Sequence, residues 1–139
     1  MLIFVLSLSG VAVAADALVV TEREQLEAFL DDVTRPRLDD RLDGALGYID
    51  ASALPCRLQH AGATQEFAGD EQSELYDAIR AALSVFDGAE QNLLQHSERI
   101  DGERASVTTR LGDSGYEQTV IYDLMRREGR WLVRSVRTL

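Results

Sequence analysis

The sequence predicts an α+β domain, with helices first and an antiparallel sheet closing the chain. Apolar residues recur at helical spacing through the first half. The period then changes from 3.6 to 2 after Glu90, and three glycine-bearing turn signals divide the second half into four strands. The last hairpin, Tyr116–Arg126 and Arg130–Leu139 about Glu128-Gly129, is the element beside which the rest of the chain can be laid.

In chain order, the opening segment comes before the domain. An apolar run from Leu2 to Leu8, a Ser9-Gly10 break and Ala12-Val13-Ala14 match the h-region and A-x-A cleavage site of a secretory signal over residues 1–14. The expected mature chain begins at Ala15 and is periplasmic or secreted. No basic n-region precedes the run, which leaves an upstream start codon open. The alternative is a first strand or short helix of the domain itself. The apolar stretch is too short and interrupted to span a membrane, and no cysteine follows it for a lipid anchor.

Thr21-Glu22-Arg23-Glu24 reads as a capping box. Behind it Leu26, Phe29, Leu30 and Val33 form one helical stripe. Pro36 interrupts, and Leu38, Leu42, Ala45, Leu46 and Ile49 resume the stripe in a second helix whose end Gly44 and Gly47 weaken. Asp31, Asp32, Asp39, Asp40 and Asp43 occupy the opposite faces. They read as a solvated row, because a hard-cation site needs converging oxygens. Leu54–Leu58 and Thr64–Phe67 are short strands around the turn His60-Ala61-Gly62, with Pro55 at an edge or strand start. Asp70 is placed to cap a helix from Glu71 to Asp87, with Leu75, Tyr76, Ile79, Ala82, Leu83 and Phe86 on one face and Gly88 closing it. The strands Gln91–Ile100, Arg104–Leu111, Tyr116–Arg126 and Arg130–Leu139 then form a meander. Residues 15–139 make a single domain, since 139 residues leave no room for two.

The order of helices, small hairpin, long helix and four-strand meander ends in Tyr122-Asp123-Leu124 and Gly129-Arg130-Trp131-Leu132-Val133, with Val136 following. On those residues the chain resembles the NTF2-like (SnoaL-like, cystatin-like cone) superfamily. The resemblance implies a curved sheet wrapped around a long helix, with a pocket at the open end of the cone. It covers nearly the whole exported part, but carries no catalytic residue onto any position here. The superfamily includes enzymes, transport factors and members without known activity, so fold does not dictate function.

Tight turns would pair Ile100 with Glu103, Leu111 with Tyr116 and Arg127 with Arg130. One face then holds Leu94, His96, Glu98, Ala105, Val107, Leu111, Val120, Tyr122, Leu124, Trp131 and Val133, and should meet the helices. Glu98, Ala105, Tyr122 and Ser135 fall in line. His96, Glu98 and Tyr122 are the candidate polar cluster of a pocket, with Trp131 at the junction of last hairpin and helices completing the ligand-binding set. A histidine and carboxylate two residues apart can pass a proton, and a tyrosine hydroxyl can polarise a carbonyl. The plainer reading is wet edge residues and a core tyrosine. The other face carries Ile121, Met125, Leu132 and Val136 as an apolar pad around a row of Arg104, Asp123 and Arg134. An exposed pad of this kind predicts a contact surface, and homodimerisation through this sheet face is what the resemblance implies.

The formal charge of −10, with all 14 basic residues arginine, argues against nucleic acid as a partner, since phosphate contacts need a basic face. Arg126, Arg127, Arg130, Arg134 and Arg137 concentrate on the last hairpin and could receive an anion, but strand alternation splits them between faces. One cysteine, Cys56, forbids an internal disulfide and reads as a small hydrophobe. His60 is expected exposed in its turn. Two histidines and one cysteine make no metal set by spacing, and no glycine-rich loop cradles a phosphate, so no metal or cofactor is expected. Two functions remain. The first is an exported non-catalytic module binding a small apolar ligand or a protein partner. The alternative is a cofactor-free isomerase or dehydratase working through His96, Glu98 and Tyr122.

Overall fold

A computed structural model describes residues 22–83, 90–113 and 115–139. The expected signal segment, Thr21 of the capping box, Phe86 and Gly88 lie outside the described residues. Helix α1 (22–33) buries Leu26, Phe29, Leu30 and Val33, the stripe its periodicity predicts. It ends where Pro36 cannot supply an N–H, and Thr34 Oγ1 caps it by donating to the Leu30 carbonyl at 2.7 Å. The corner into α2 (Leu38–Leu46) is tied by Arg41, whose buried Nη1 donates to the carbonyls of Arg35 and Pro36 at 2.9 and 3.0 Å. Helix α2 stops before Ile49, yet Ile49 remains buried. Gly44 does more than weaken the helix. A Cβ there would stand 2.7 Å from the Asp32 carbonyl oxygen, so the glycine is what lets α1 and α2 approach.

Strands β1 (Cys56–His60) and β2 (Ala63–Phe67) form a hairpin about Ala61-Gly62, both at positive φ (50° and 80°). Helix α3 (Gln72–Leu83) follows. Its first turn opens at Glu71 rather than being capped by Asp70: the Glu71 carbonyl accepts from Leu75 N–H, and the Glu71 carboxylate accepts from Ala68 N–H at 2.8 Å. Gln72 anchors that end by accepting from Ala51 N–H and donating to the Ile49 carbonyl.

The meander is β3 (Asn92–Asp101), β4 (Arg104–Gly112), β5 (Glu117–Arg127) and β6 (Arg130–Thr138). The six strands make one curved, unclosed sheet in the order β2-β1-β6-β5-β4-β3, with β1 parallel to β6 and every other pair antiparallel. The expected α+β architecture is what forms, with helices on one face of the sheet.

The register differs from expectation in three places. Gly102 alone has positive φ (61°) at the β3–β4 turn, so the turn is Gly102-Glu103, with glycine first, rather than Asp101-Gly102. Ile100 therefore pairs with Ala105. Leu111 pairs with Gln118 instead of Tyr116. Each slip is two residues, so faces are kept while rows change. The third difference is a bulge. Leu124 pairs with Val133 but Asp123 with Ser135, leaving Arg134 as the extra residue and reversing the faces beyond it. Val136 consequently enters the core at 1% exposure rather than joining an outer pad. A second irregularity leaves Leu94 unpaired and exposed on the edge strand.

Helix-side Ala105, Val107, Val120, Tyr122, Leu124, Trp131 and Val133 join the helix stripes in one core. Phe29 sits at its centre, edge-on to Tyr48 and Tyr122 at 4.9 and 5.3 Å between ring centroids.

Candidate functional site

The residues expected to line a pocket do not share one. His96 and Glu98 lie on the helix-side face, Glu98 beside Val107, but on the edge strand β3, which is exposed along its whole length. His96 Nδ1 stands 3.6 Å from Glu98 Oε1 with 48% of the histidine side chain exposed. Water screens a pair so placed. Tyr122, two strands inward, is sealed in the core. Burial raises its hydroxyl pKa well above the ordinary tyrosine value, and the nearby Arg41 guanidinium opposes the rise. Tyr122 is flanked by Val107 and Val136, not by Ala105 and Ser135. Trp131 is buried, 2% exposed, and its Nε1 has no hydrogen-bond partner among the described residues.

The outer apolar pad is also redistributed. Val136 is in the core, and Leu132 is buried beside Gly47, Ile49 and Ser52 of the loop before β1. Ile121 and Met125 stay half-buried on the outer face. Asp123 is not set between two arginines. It lies between Ser106 and Ser135 and accepts from Ser135 Oγ at 2.8 Å. Arg104 pairs with Met125. His60, expected exposed, is half-buried at the end of β1 and shares a 2.6 Å hydrogen bond between Nδ1 and Thr138 Oγ1. Cys56 is fully buried, and burial pushes its thiol up to about 12. Among the described residues no three His, Cys, Asp or Glu side chains converge as a metal site.

What the sheet does build is a trough of about 570 Å³ on the face away from the helices. One row of paired residues crosses all six strands: Arg99, Ser106, Asp123, Ser135, Arg57 and Glu66. A neighbouring row brings Asp101, Arg104 and Met125. Arg137 pairs with Gln59 beyond, and the bulged Arg134 also lines the space. Leu54, Pro55 and Met125 supply apolar contact. Five arginines thus face three carboxylates, an excess of positive charge on a chain of net −10. Arg57 is paired with Glu66 at 3.3 Å. Arg99, Arg104, Arg134 and Arg137 make no side-chain hydrogen bond or ion pair among the described residues.

Alternation alone puts Arg134 and Arg137 on opposite faces, and the bulge brings both to the trough. The sequence carried the period-two pairs Arg99/Asp101 and Arg57/Gln59 as its only local signal of this surface. Their meeting needs the parallel β1–β6 contact, which no turn encodes.

Among solved structures, an NTF2-like protein with a cystatin-like fold from Novosphingobium aromaticivorans superposes with TM-score 0.60 at 16% identity, covering 91% of this chain and 86% of its own. The fold is NTF2-like. A DUF4783 family protein from Bacteroides ovatus superposes with TM-score 0.60 at 12% identity, over 80% of this chain and 90% of its own. A candidate ketosteroid isomerase from Shewanella frigidimarina matches with TM-score 0.57 at 15% identity, over 84% and 92%. No protein-family profile matches the sequence, and no curated protein is similar to it.

Proposed function

We propose that this chain is a non-catalytic NTF2-like ligand-binding module, exported by its N-terminal segment, with the outer-face trough as its binding surface. The observation that carries this reading is the contrast between the two sheet faces. On the helix side the described residues pack into a continuous core, whereas the other face holds a ligand-sized space lined by unpaired arginines. Neither an apolar ligand nor a protein partner is needed to account for that lining. The isomerase or dehydratase alternative, raised by the likeness to a candidate ketosteroid isomerase from Shewanella frigidimarina, needs a base and a polarising hydroxyl facing one enclosed space. His96 and Glu98 are open to water, and Tyr122 is sealed in the core between Val107 and Val136.

Amide shifts on titrating a small-molecule set into the full chain test the reading. Shifts clustered at Ser106, Asp123 and Ser135 support it. Ligand shifts centred on His96 and Glu98 and lost in Glu98→Gln would favour the enzyme reading instead. Export is tested by N-terminal sequencing of secreted or periplasmic protein, expected to begin at Ala15. An intact Met1 on cytoplasmic protein overturns it.

A homodimer through the outer face is the second arrangement. It keeps Ile121 and Met125 as its apolar contact, but sets five arginines of one protomer against those of its partner. Sedimentation at tens of micromolar decides between the two.

A further inference from the structure

We infer that the trough binds an elongated organic dianion, gripped at one end by Arg99 and Arg104 and at the other by the arginines of β6. This rests on the ligand-binding reading and names the ligand class. Arg99 and Arg104 are diagonal neighbours across β3 and β4, since Arg104 pairs with Asp101, two residues from Arg99. Arg134 and Arg137 are on β6, roughly 7–10 Å apart along the strand and two strands from β4 and three from β3, so either one can hold the far end of a ligand. At about 4.8 Å per strand the two pairs stand roughly 10–14 Å apart. A single compact anion such as phosphate cannot span that distance.

Between the pairs lies Asp123, with one carboxylate oxygen holding Ser135 Oγ. Its charge repels an anion at the centre of the trough, so the arrangement separates the favourable ends from an unfavourable middle. The middle suits a neutral body instead. Met125 offers it apolar contact, while Ser106 and Asp123 can receive donors from it. Guanidinium forks suit carboxylate or phosphate ends, which they bind in bidentate fashion. The unpaired state of the four arginines matters here: binding need not first break an internal ion pair.

The discriminating experiment is calorimetric titration of the full chain at low salt with α,ω-dicarboxylates of increasing chain length. Inorganic phosphate and a monocarboxylate of matched length serve as controls. Affinity is expected to rise with length to an optimum where the carboxylates span the two pairs. The monocarboxylate and phosphate should bind on the order of tenfold more weakly or worse, having only one charge-assisted contact set. Arg104→Gln and Arg137→Gln should each weaken the optimal dicarboxylate by a similar factor and flatten the length dependence. Both residues are exposed, so the variants should melt with the unmodified chain. Equal affinity for mono- and dicarboxylates at every length, or affinity unchanged in both variants, overturns the inference. If neutral ligands shift the amides of Ser106 and Asp123 while the arginine variants bind them normally, the module reading survives and the dianion does not. Ligand shifts confined to the His96–Glu98 edge overturn both.

Discussion

Cys56 begins β1 with no exposed surface, and burial holds its thiol neutral up to about 12, against an ordinary thiol value of 9.0. In the unfolded chain the same thiol ionises near its ordinary value. Because the folded pKa is the higher one, its contribution to stability is complete below about pH 9 and is lost as pH rises toward 12. Stability should fall by about 1.4 kcal/mol per pH unit over this window from this group alone. Urea midpoints between pH 8.5 and 10 should decline in the unmodified protein and flatten in Cys56→Ala. A parallel decline in both would show the thiol is not sealed. Tyr48 adds to the fall at higher pH, since burial first and the Asp32 carboxylate second push its hydroxyl up to about 12. Trp131 gives a second test at this scale. Trp131→Ala should cost about 3–5 kcal/mol, the usual range for a buried large aromatic. Trp131→Phe should cost clearly less, because among the described residues the indole N–H has no hydrogen-bond partner that the change would remove. Equal losses in chemical denaturation would mean the N–H has a partner in solution.

At the scale of elements, two local features fix relationships between segments. The first is Gly44, whose missing Cβ admits the Asp32 backbone. Gly44→Ala gains helix propensity but overpacks the α1–α2 contact. The net effect should be a loss of roughly 1–3 kcal/mol, read as a lowered denaturation midpoint. A gain in stability would show that the two helices can move apart freely. The second is the bulge at Arg134. Replacing its side chain, as in Arg134→Ala, should leave stability within about 0.5 kcal/mol, as for other surface changes. Deleting the residue is a different matter. It removes the extra residue and leaves Leu124–Val133, Asp123–Ser135 and Tyr122–Val136 paired in simple alternation, so Val136 stays in the core and cooperative unfolding should be kept with a modest change in midpoint. A deletion variant that loses cooperative unfolding, as expected if Val136 were turned out of the core, would refute the bulge.

At the scale of the whole molecule, charge is unevenly placed. The helices carry the acidic row: Asp32 holds Arg35 and Tyr48, and Asp39 holds Arg80. The trough holds the arginines. Two such troughs pressed together would repel, so the full chain should sediment as a monomer at tens of micromolar in low salt. Added salt screens this repulsion, so any change on raising salt should be toward association. A stable dimer dissociated by Ile121→Asp would instead return the outer face to a protomer contact.

Order and type of elements were legible in the sequence because they are set locally. Helical stripes, alternation and turn glycines act within a few residues, and the Glu128-Gly129 hairpin forms as expected with φ of 50° and 75°. The apolar side of the sheet was legible too, since Val107, Val120, Tyr122, Leu124, Trp131 and Val133 alternate as a buried face must. The site was not. Its rows depend on a glycine taking the first rather than the second turn position, on one extra residue at Arg134, and on β1 joining β6 in parallel. Each changes which side chains meet across strands without changing local propensity. Only the assembled sheet, where core packing draws Val136 inward, decides that Arg99, Arg104, Arg134 and Arg137 face one space.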